Sequence, residues 1–331
     1  MPLDPDETAD QRARRRELEA AGQLGLPEDA LGLDEDEELL DAEPQAGAVT
    51  TEGRKPWRPS RPKPPKPTQP LPPTEPPAAV GPVVLVKSAS DLKKLKNGTT
   101  YRWSPGFTLK AQLVLKGLKN ITLEQPRIDG ADESCIYVVN TQNLTIRGGS
   151  LTNSRRKSGL LTDGNTDGIV MIGVTCTGNS EHGVYLGTGS NDSFEIRDCI
   201  LSSNDRCGLQ LNAELGGDRT FRGGKIIGCT IRGNAKGQGA AMNLGSWQEG
   251  LLENCTIEGN QKGIVLWKGD GAQACKNVMI RGCRFKGNGS GDPIRFDGGS
   301  TGRLESNTVD RKPKAGGWTS NGKNQAPSGE F

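Results

Sequence analysis

The residues able to do chemistry are few and sparsely placed. His182 is the single histidine of the 331 residues, in Ser180-Glu181-His182-Gly183, fifteen residues after Asp167 of Asn165-Thr166-Asp167-Gly168. One histidine and one aspartate are a fragment of an acid–base pair. Hydrolysis of a glycosidic bond with inversion needs two carboxyl groups about 6.5–9.5 Å apart, and Asp167 alone does not supply them. Asn, Asp and Gly in this order also make ordinary turns. No residue is therefore assigned a catalytic role.

The eight cysteines (Cys135, Cys176, Cys199, Cys207, Cys229, Cys255, Cys275 and Cys283) offer the other possible chemistry. None shows the C-x₂₋₄-C spacing of a zinc site, and Cys199 and Cys207, among the closest in sequence, span a turn. No metal or other cofactor is expected. A phosphate loop ending in Gly-Lys is missing as well.

The composition is 32% hydrophobic and only 4% aromatic, with 46 glycines. That predicts a thin core and a turn-dense architecture. No apolar run approaches the ~18 residues of a membrane span. The opening Met1–Glu7 is acidic and lacks the basic and apolar regions of a secretory signal, so no cleaved signal peptide is expected.

From residue 83 a repeat takes over. Strand-like pieces recur, among them GIVMIGVTCTGN, FEIRDCILSSN, GKIIGCTIRGN, LLENCTIEGN and NVMIRGCRFKGN. One apolar anchor per repeat aligns Ile128, Leu151, Cys176, Leu201, Ile231, Ile257, Phe285 and Val309, about 26 residues apart. Two residues before the anchor stand Cys199, Cys229, Cys255 and Cys283; three after it stand Asn179, Asn204, Asn234, Asn260 and Asn288. A second strand follows each Asn: GVYL, GLQL, AMNL, GIVL, PIRF. The expected fold is all-β, a right-handed parallel β-helix of about eight coils in which like side chains stack ~4.8 Å apart. The thiols should stay free, buried and without evident partners, because that spacing exceeds the ~3.8 Å between disulfide Cβ atoms; this favours a reducing compartment. Ser88–Gly98 (SASDLKKLKNG), with Leu92 and Leu95 on one face, predicts an N-terminal capping helix.

The opening LKAQLVLKGLKNITLEQPRIDG and the Asn-ending coils resemble the pectin-lyase-like superfamily: pectate lyases, polygalacturonases, epimerases and bacteriophage tailspikes. The resemblance spans residues 83–310 and implies fold more than activity, because sites are grafted on such stacks. Polygalacturonases carry Asn-Thr-Asp-Gly, then a paired Asp, then Gly-His-Gly; here the paired-Asp coil is missing. Pectate lyases cluster carboxylates for calcium. Alternation along the second strand points Tyr185, Gln210, Asn243, Val265 and Arg295 outward, followed by Gly187, Asn212, Gly245, Trp267 and Asp297, with Trp247 on the adjacent loop. One carboxylate in that double file predicts no calcium site. Rings beside amides and a guanidinium suit stacking on a sugar and hydrogen bonding to it. Tyr185, Gln210, Asn243, Trp247, Trp267, Arg295 and Asp297 are the candidate carbohydrate-binding residues.

Ahead of the repeat lie two segments of different character. Residues 1–52 hold 16 Asp/Glu and 4 Arg, with a short helix expected from Asp10 to Ala21. Residues 53–82 hold 12 prolines with Arg54, Lys55, Arg58, Arg61, Lys63 and Lys66, a basic spacer of polyproline type. The domains are thus an acidic arm (1–52, disordered or extended), the linker (53–82), the β-helix (83–310) and a polar C-terminal tail (311–331). This layout resembles a phage spike, fibre or capsid-decoration protein. It implies a virion location, attachment to a larger assembly through residues 1–52, a homotrimer and a surface polysaccharide as partner. The scattered basic residues of the β-helix make nucleic acid an unfavoured partner. The alternatives are a lyase or glycoside hydrolase acting on an acidic polysaccharide, and a ligand-free cellular scaffold.

Overall fold

The computed structural model describes residues 81–331 apart from 188–192, 214–219, 237–238, 269–272, 290, 315, 321–323 and 328. The chain divides into Met1–Pro77 and Ala78–Phe331. The acidic arm, its expected helix and the proline-rich linker up to residue 80 lie outside the described residues. No helix among the described residues is long and apolar enough to cross a membrane.

The described residues from 81 onward form a parallel solenoid, as the repeat predicts. A complete coil passes through three sheets. Sheet 1 runs from Val83–Val86 through Thr100–Trp103, Lys119–Glu124 and Gln142–Arg147 to Gly302–Glu305 and Trp318–Ser320, eleven strands in all among the described residues. Sheet 2 holds seven strands of three residues, from Arg127–Asp129 to Arg284–Lys286; sheet 3 holds eight, from Leu113–Lys116 to Ile294–Phe296. The anchors form one file: Ile128 pairs with Leu151, Leu151 with Cys176, Cys176 with Leu201, Leu201 with Ile231, Ile231 with Ile257 and Ile257 with Phe285. All are buried, and with the inward residues of sheets 1 and 3 they make one continuous core.

Strands this short need sharp corners, and the chain turns them with residues in the left-handed region. Between sheets 1 and 2 these include Gly173 (φ 65°), Asp198 (54°), Gly228 (64°), Asn254 (53°), Gly282 (62°) and Ser306 (55°). Glycine and Asn/Asp adopt this conformation at least cost. Their order is constrained too. A Cβ on Gly228 would stand 2.4 Å from Asp198 Oδ1, and one on Gly282 2.4 Å from Asn254 Oδ1. At this corner the polar side chain of one coil occupies the space above it, and the next coil carries glycine.

The second corner holds the asparagine ladder. Nδ2 of Asn179, Asn204, Asn234 and Asn260 each donates to Oδ1 of the next Asn, ending on Asn288, at 2.9–3.0 Å. Each Oδ1 also accepts the backbone N–H of the Asn before it, at 3.0–3.1 Å. The second Nδ2 hydrogen reaches the anchor carbonyl one coil back, as in Asn234 to Leu201 (2.9 Å) and Asn260 to Ile231 (3.0 Å). Each buried amide thus satisfies backbone groups that the bend removes from the sheets.

All eight cysteines are unpaired and buried. Contrary to the expectation, the stacked thiols have partners. Cys229 Sγ lies 3.4 Å from the carbonyls of Ile196 and Ile227, and Cys255 Sγ 3.3 Å from that of Glu253. Asn307 and Asn324 continue the cysteine file: Cys283 N–H donates to Asn307 Oδ1 (3.0 Å), and Asn307 Nδ2 to Asn324 Oδ1 (3.0 Å).

Both ends depart from the sequence reading. In place of a capping helix there is one 3-10 turn, Ala89–Leu92. Asp91 Oδ2 accepts the N–H groups of Lys87 and Ser88 (both 2.9 Å). Ten residues closed by Gly98 leave too little length to offset helix nucleation, yet Leu92 and Leu95 still pack on the core. The C-terminal segment does not hang free. Trp318–Ser320 pairs with Gly302–Glu305, and Gln325–Ala326 makes a hairpin with Gly329–Glu330.

Asn234→Ala removes the acceptor of Asn204 Nδ2 and N–H and the donor to Leu201. At about 1–3 kcal/mol per unsatisfied buried group, the loss should exceed about 3 kcal/mol in urea unfolding. Cys229→Ser, whose hydroxyl inherits two carbonyls, should cost less than Asn234→Ala.

Candidate functional site

The outward face of sheet 3 collects the sequence-designated residues. Tyr185 pairs with Gln210, Gln210 with Asn243, Asn243 with Val265 and Val265 with Arg295. The same file extends toward the N-terminus through Leu161 and Tyr137. Beside it Gly187 pairs with Asn212, and Gly245 with Trp267. Sequence reasoning missed Tyr137, Leu161 and Asp163, although CIYVV and GLLTD carry the same alternation as GVYL.

The face is knit by hydrogen bonds. Tyr137 OH donates to Asp163 Oδ2 (2.9 Å), and Asn212 Nδ2 donates to Tyr185 OH (3.2 Å). Arg295 Nε donates to Asp297 Oδ2 (2.7 Å). The Tyr185 ring lies down over Gly187, where a Cβ would meet Tyr185 Cε1 at 2.5 Å. Tyr185, Asn243, Val265, Trp267 and Asp297 are half-buried, Arg295 exposed and Gln210 nearly buried.

Trp247 does not belong to this face, which corrects the sequence reading. It is fully buried, 6.1 Å from the Phe194 ring, and Phe194 in turn meets Phe221 edge-on at 6.1 Å. Gly250 leaves the indole its space, since a Cβ there would stand 2.0 Å from Trp247 Cε2. Because Phe221 and Trp247 lie in a small two-stranded parallel pair between sheets 3 and 1, the loop is a core element and its tryptophan is unavailable to a ligand.

His182 and Asp167 are not brought together. His182 precedes the strand Val184–Gly187, whereas Asp167 follows Leu160–Asp163 at the opposite end of sheet 3. Asn165-Thr166-Asp167-Gly168 is the corner into sheet 1, where Thr166 Oγ1 donates to the Asp163 carbonyl (2.6 Å) and Asp167 Oδ1 accepts Gly168 N–H (2.6 Å). His182 is 6% exposed; its Nδ1 accepts Cys207 N–H (3.2 Å), and its ring sits 5.3 Å from that of Tyr185. Burial, and then the nearby cations Arg206 and Lys157, push its pKa down to about 3. The imidazole is neutral, with Nδ1 as acceptor. Of the face carboxylates among the described residues, Asp163 and Asp297 lie five coils apart, about 24 Å at the strand spacing.

A family model agrees with this architecture. Residues 111–274 and 221–328 match the family described as right handed beta helix region. No curated protein matches the chain by sequence. Among solved structures, the chain is similar to the mannuronan C-5 epimerase AlgE4 A-module of Azotobacter vinelandii (16% identity, 69% of this chain and 85% of that one, TM-score 0.49). It is also similar to pectate lyase Pel9A (12%, 70% and 72%, 0.48). A third is the tailspike protein gp49 of Acinetobacter baumannii bacteriophage Fri1, a capsular polysaccharide depolymerase (12%, 70% and 43%, 0.45).

Because the folded-state pKa of His182 lies below its ordinary value of 6.5, unfolding takes up a proton in acid. Its contribution to stability is complete above about pH 6.5 and declines as the pH falls toward about 3. The urea midpoint should fall across that window in the wild type. In His182→Asn, which keeps an acceptor for Cys207, that part of the slope should vanish; an unchanged slope would place the titration elsewhere.

Proposed function

Since the chain belongs to the right handed beta helix region family, we propose that it is a glycan-binding β-helix, displayed on a larger, virion-type assembly by its N-terminal arm. One observation carries the binding reading. Hydroxyl, amide, guanidinium and indole groups stand in two adjacent registered files on sheet 3, from Tyr137 to Arg295 and from Asp163 to Trp267. Such files repeat every ~4.8 Å, a ruler against which an extended polymer can be held at several points. Rings give apolar area for sugar faces and the amides give directional hydrogen bonds. The wide separation of Asp163 and Asp297 favours binding over two-carboxylate hydrolysis.

A second reading, a lyase or hydrolase of an acidic polysaccharide, is supported by the neutral His182 against Tyr185, with Lys157 and Arg206 close enough to lower its pKa. Proton transfer needs access to the reacting group, and a histidine only 6% exposed with Nδ1 already engaged offers little. Binding is the preferred reading.

The test is a panel of bacterial capsular and other acidic polysaccharides, followed by titration calorimetry on any that bind. Tyr185→Ala and Trp267→Ala should each weaken binding at least tenfold with unchanged circular dichroism, whereas Trp247→Ala should lower Tm. Release of reducing ends or of absorbance from unsaturated uronate would replace the binding reading with the enzymatic one.

The arm's share of the proposal rests on its composition, 16 carboxylates ahead of a proline-rich spacer. At ~3.1 Å per residue such a spacer holds a folded body well away from its mount. Deletion of residues 1–52 should leave Tm unchanged and abolish incorporation into the particle; normal incorporation would reduce the arm to a solvated tail.

A further inference from the structure

The N-terminal end of the solenoid is built unlike the rest. Among the described residues, Val83–Val86 is the outermost strand of sheet 1, paired on one side only, with Thr100–Trp103. Its outward side chains, Val83 and Leu85, are 49% and 47% exposed, the two largest exposures among the large hydrophobic residues of the described chain. An open strand edge carrying apolar side chains is a template for another strand.

The charge around this edge is one-sided. Residues 81–120 contain eight Lys/Arg and a single carboxylate, Asp91. Asp91 is engaged in the turn at Lys87 and Ser88. Arg102 pairs with Glu124, and Lys110 with Asp129. Lys87, Lys93, Lys94 and Lys96 follow the edge strand immediately and are all exposed. None has a carboxylate within ion-pair distance among the described residues.

Lysines at an edge ordinarily serve to repel further strands. That role alone does not account for Val83 and Leu85, because a guarded edge gains nothing from exposed aliphatic side chains. It does settle which strand is refused. A second copy docking end to end would set two such lysine clusters against each other, so like charges exclude it. A strand bearing carboxylates would find both a hydrogen-bonding edge and charge complementarity.

We propose that the Val83–Val86 edge is a docking site for an extended acidic peptide segment of a partner protein. The segment adds as a further strand of sheet 1. Its apolar side chains at alternate positions rest on Val83 and Leu85, and its carboxylates face Lys87, Lys93, Lys94 and Lys96. Backbone hydrogen bonds supply affinity and the alternating side chains supply choice, as in other strand-addition complexes. The site lies on the open edge of sheet 1, separate from the registered files of sheet 3.

The experiment uses the full-length protein and a fluorescein-labelled, N-acetylated octapeptide alternating Glu and Val. Fluorescence anisotropy should give saturable binding, and hydrogen exchange read by mass spectrometry should slow in the fragment containing Val83–Val86. Lys93→Glu/Lys94→Glu and, separately, Leu85→Glu should each weaken binding at least tenfold while leaving circular dichroism and glycan binding unchanged. Three results would overturn the proposal: equal binding of the Lys/Val octapeptide, equal binding of polyglutamate or of a sulfated polysaccharide, or binding with no protection at Val83–Val86. Sedimentation showing end-to-end dimers lost in Leu85→Glu would also overturn it, because the occupant would then be a second copy.

Discussion

The architecture depends on what happens to backbone polar groups at the bends. A three-residue strand such as Thr175–Thr177 leaves sheet 2 almost as soon as it enters, and every coil has bends where N–H and C=O groups fall out of the ladders. An unpaired buried group costs about 1–3 kcal/mol, and the penalty would recur in each coil. The asparagine file meets it with one amide that gives two hydrogens and accepts two. Because each Asn needs the next, the register of neighbouring coils is fixed by the corner as much as by the core.

The corner also shapes the surface that is offered to ligands. Gly183 precedes the sheet 3 strand because a Cβ there would lie 2.9 Å from Asn204 Nδ2. The residues after it then alternate strictly, Val184 and Leu186 inward, Tyr185 outward. The flat presentation of Tyr185 over Gly187 follows from the same short strand. Core, ladder and face are three views of one repeat, which ties any change in the face to the stability of the coil beneath it.

Much of this was legible in the sequence, for a physical reason. Stacked positions must carry compatible residues, so the anchors, the asparagines and the outward file of Tyr185, Gln210, Asn243 and Arg295 are visible as columns. What was illegible lies where the columns stop. Trp247 sits in a loop of irregular length, and nothing in its neighbours distinguishes a ring turned to solvent from one packed on Phe194. The helix expected after Ser88 was set by local signals, while the short span back to Thr100 permits one turn only. Asn324 was read as tail because its spacing departs from the repeat, although, like Asn307, it chemically replaces the cysteines of the preceding coils.

The left-handed corners carry a consequence for how such a chain can lengthen. No two successive coils place a side chain at the same left-handed position of the first corner: Asp198 is followed by Gly228, Asn254 by Gly282, and then Ser306. Excising the coil that holds Gly228 would bring Asp198 beneath Asn254, with the first side chain already filling the space of the second. Removing or copying two coils together preserves the alternation. A glycine coil can be copied alone, as Gly148 and Gly173 show by following one another, whereas excising one in this half of the rod requires that a side-chain-bearing coil go with it.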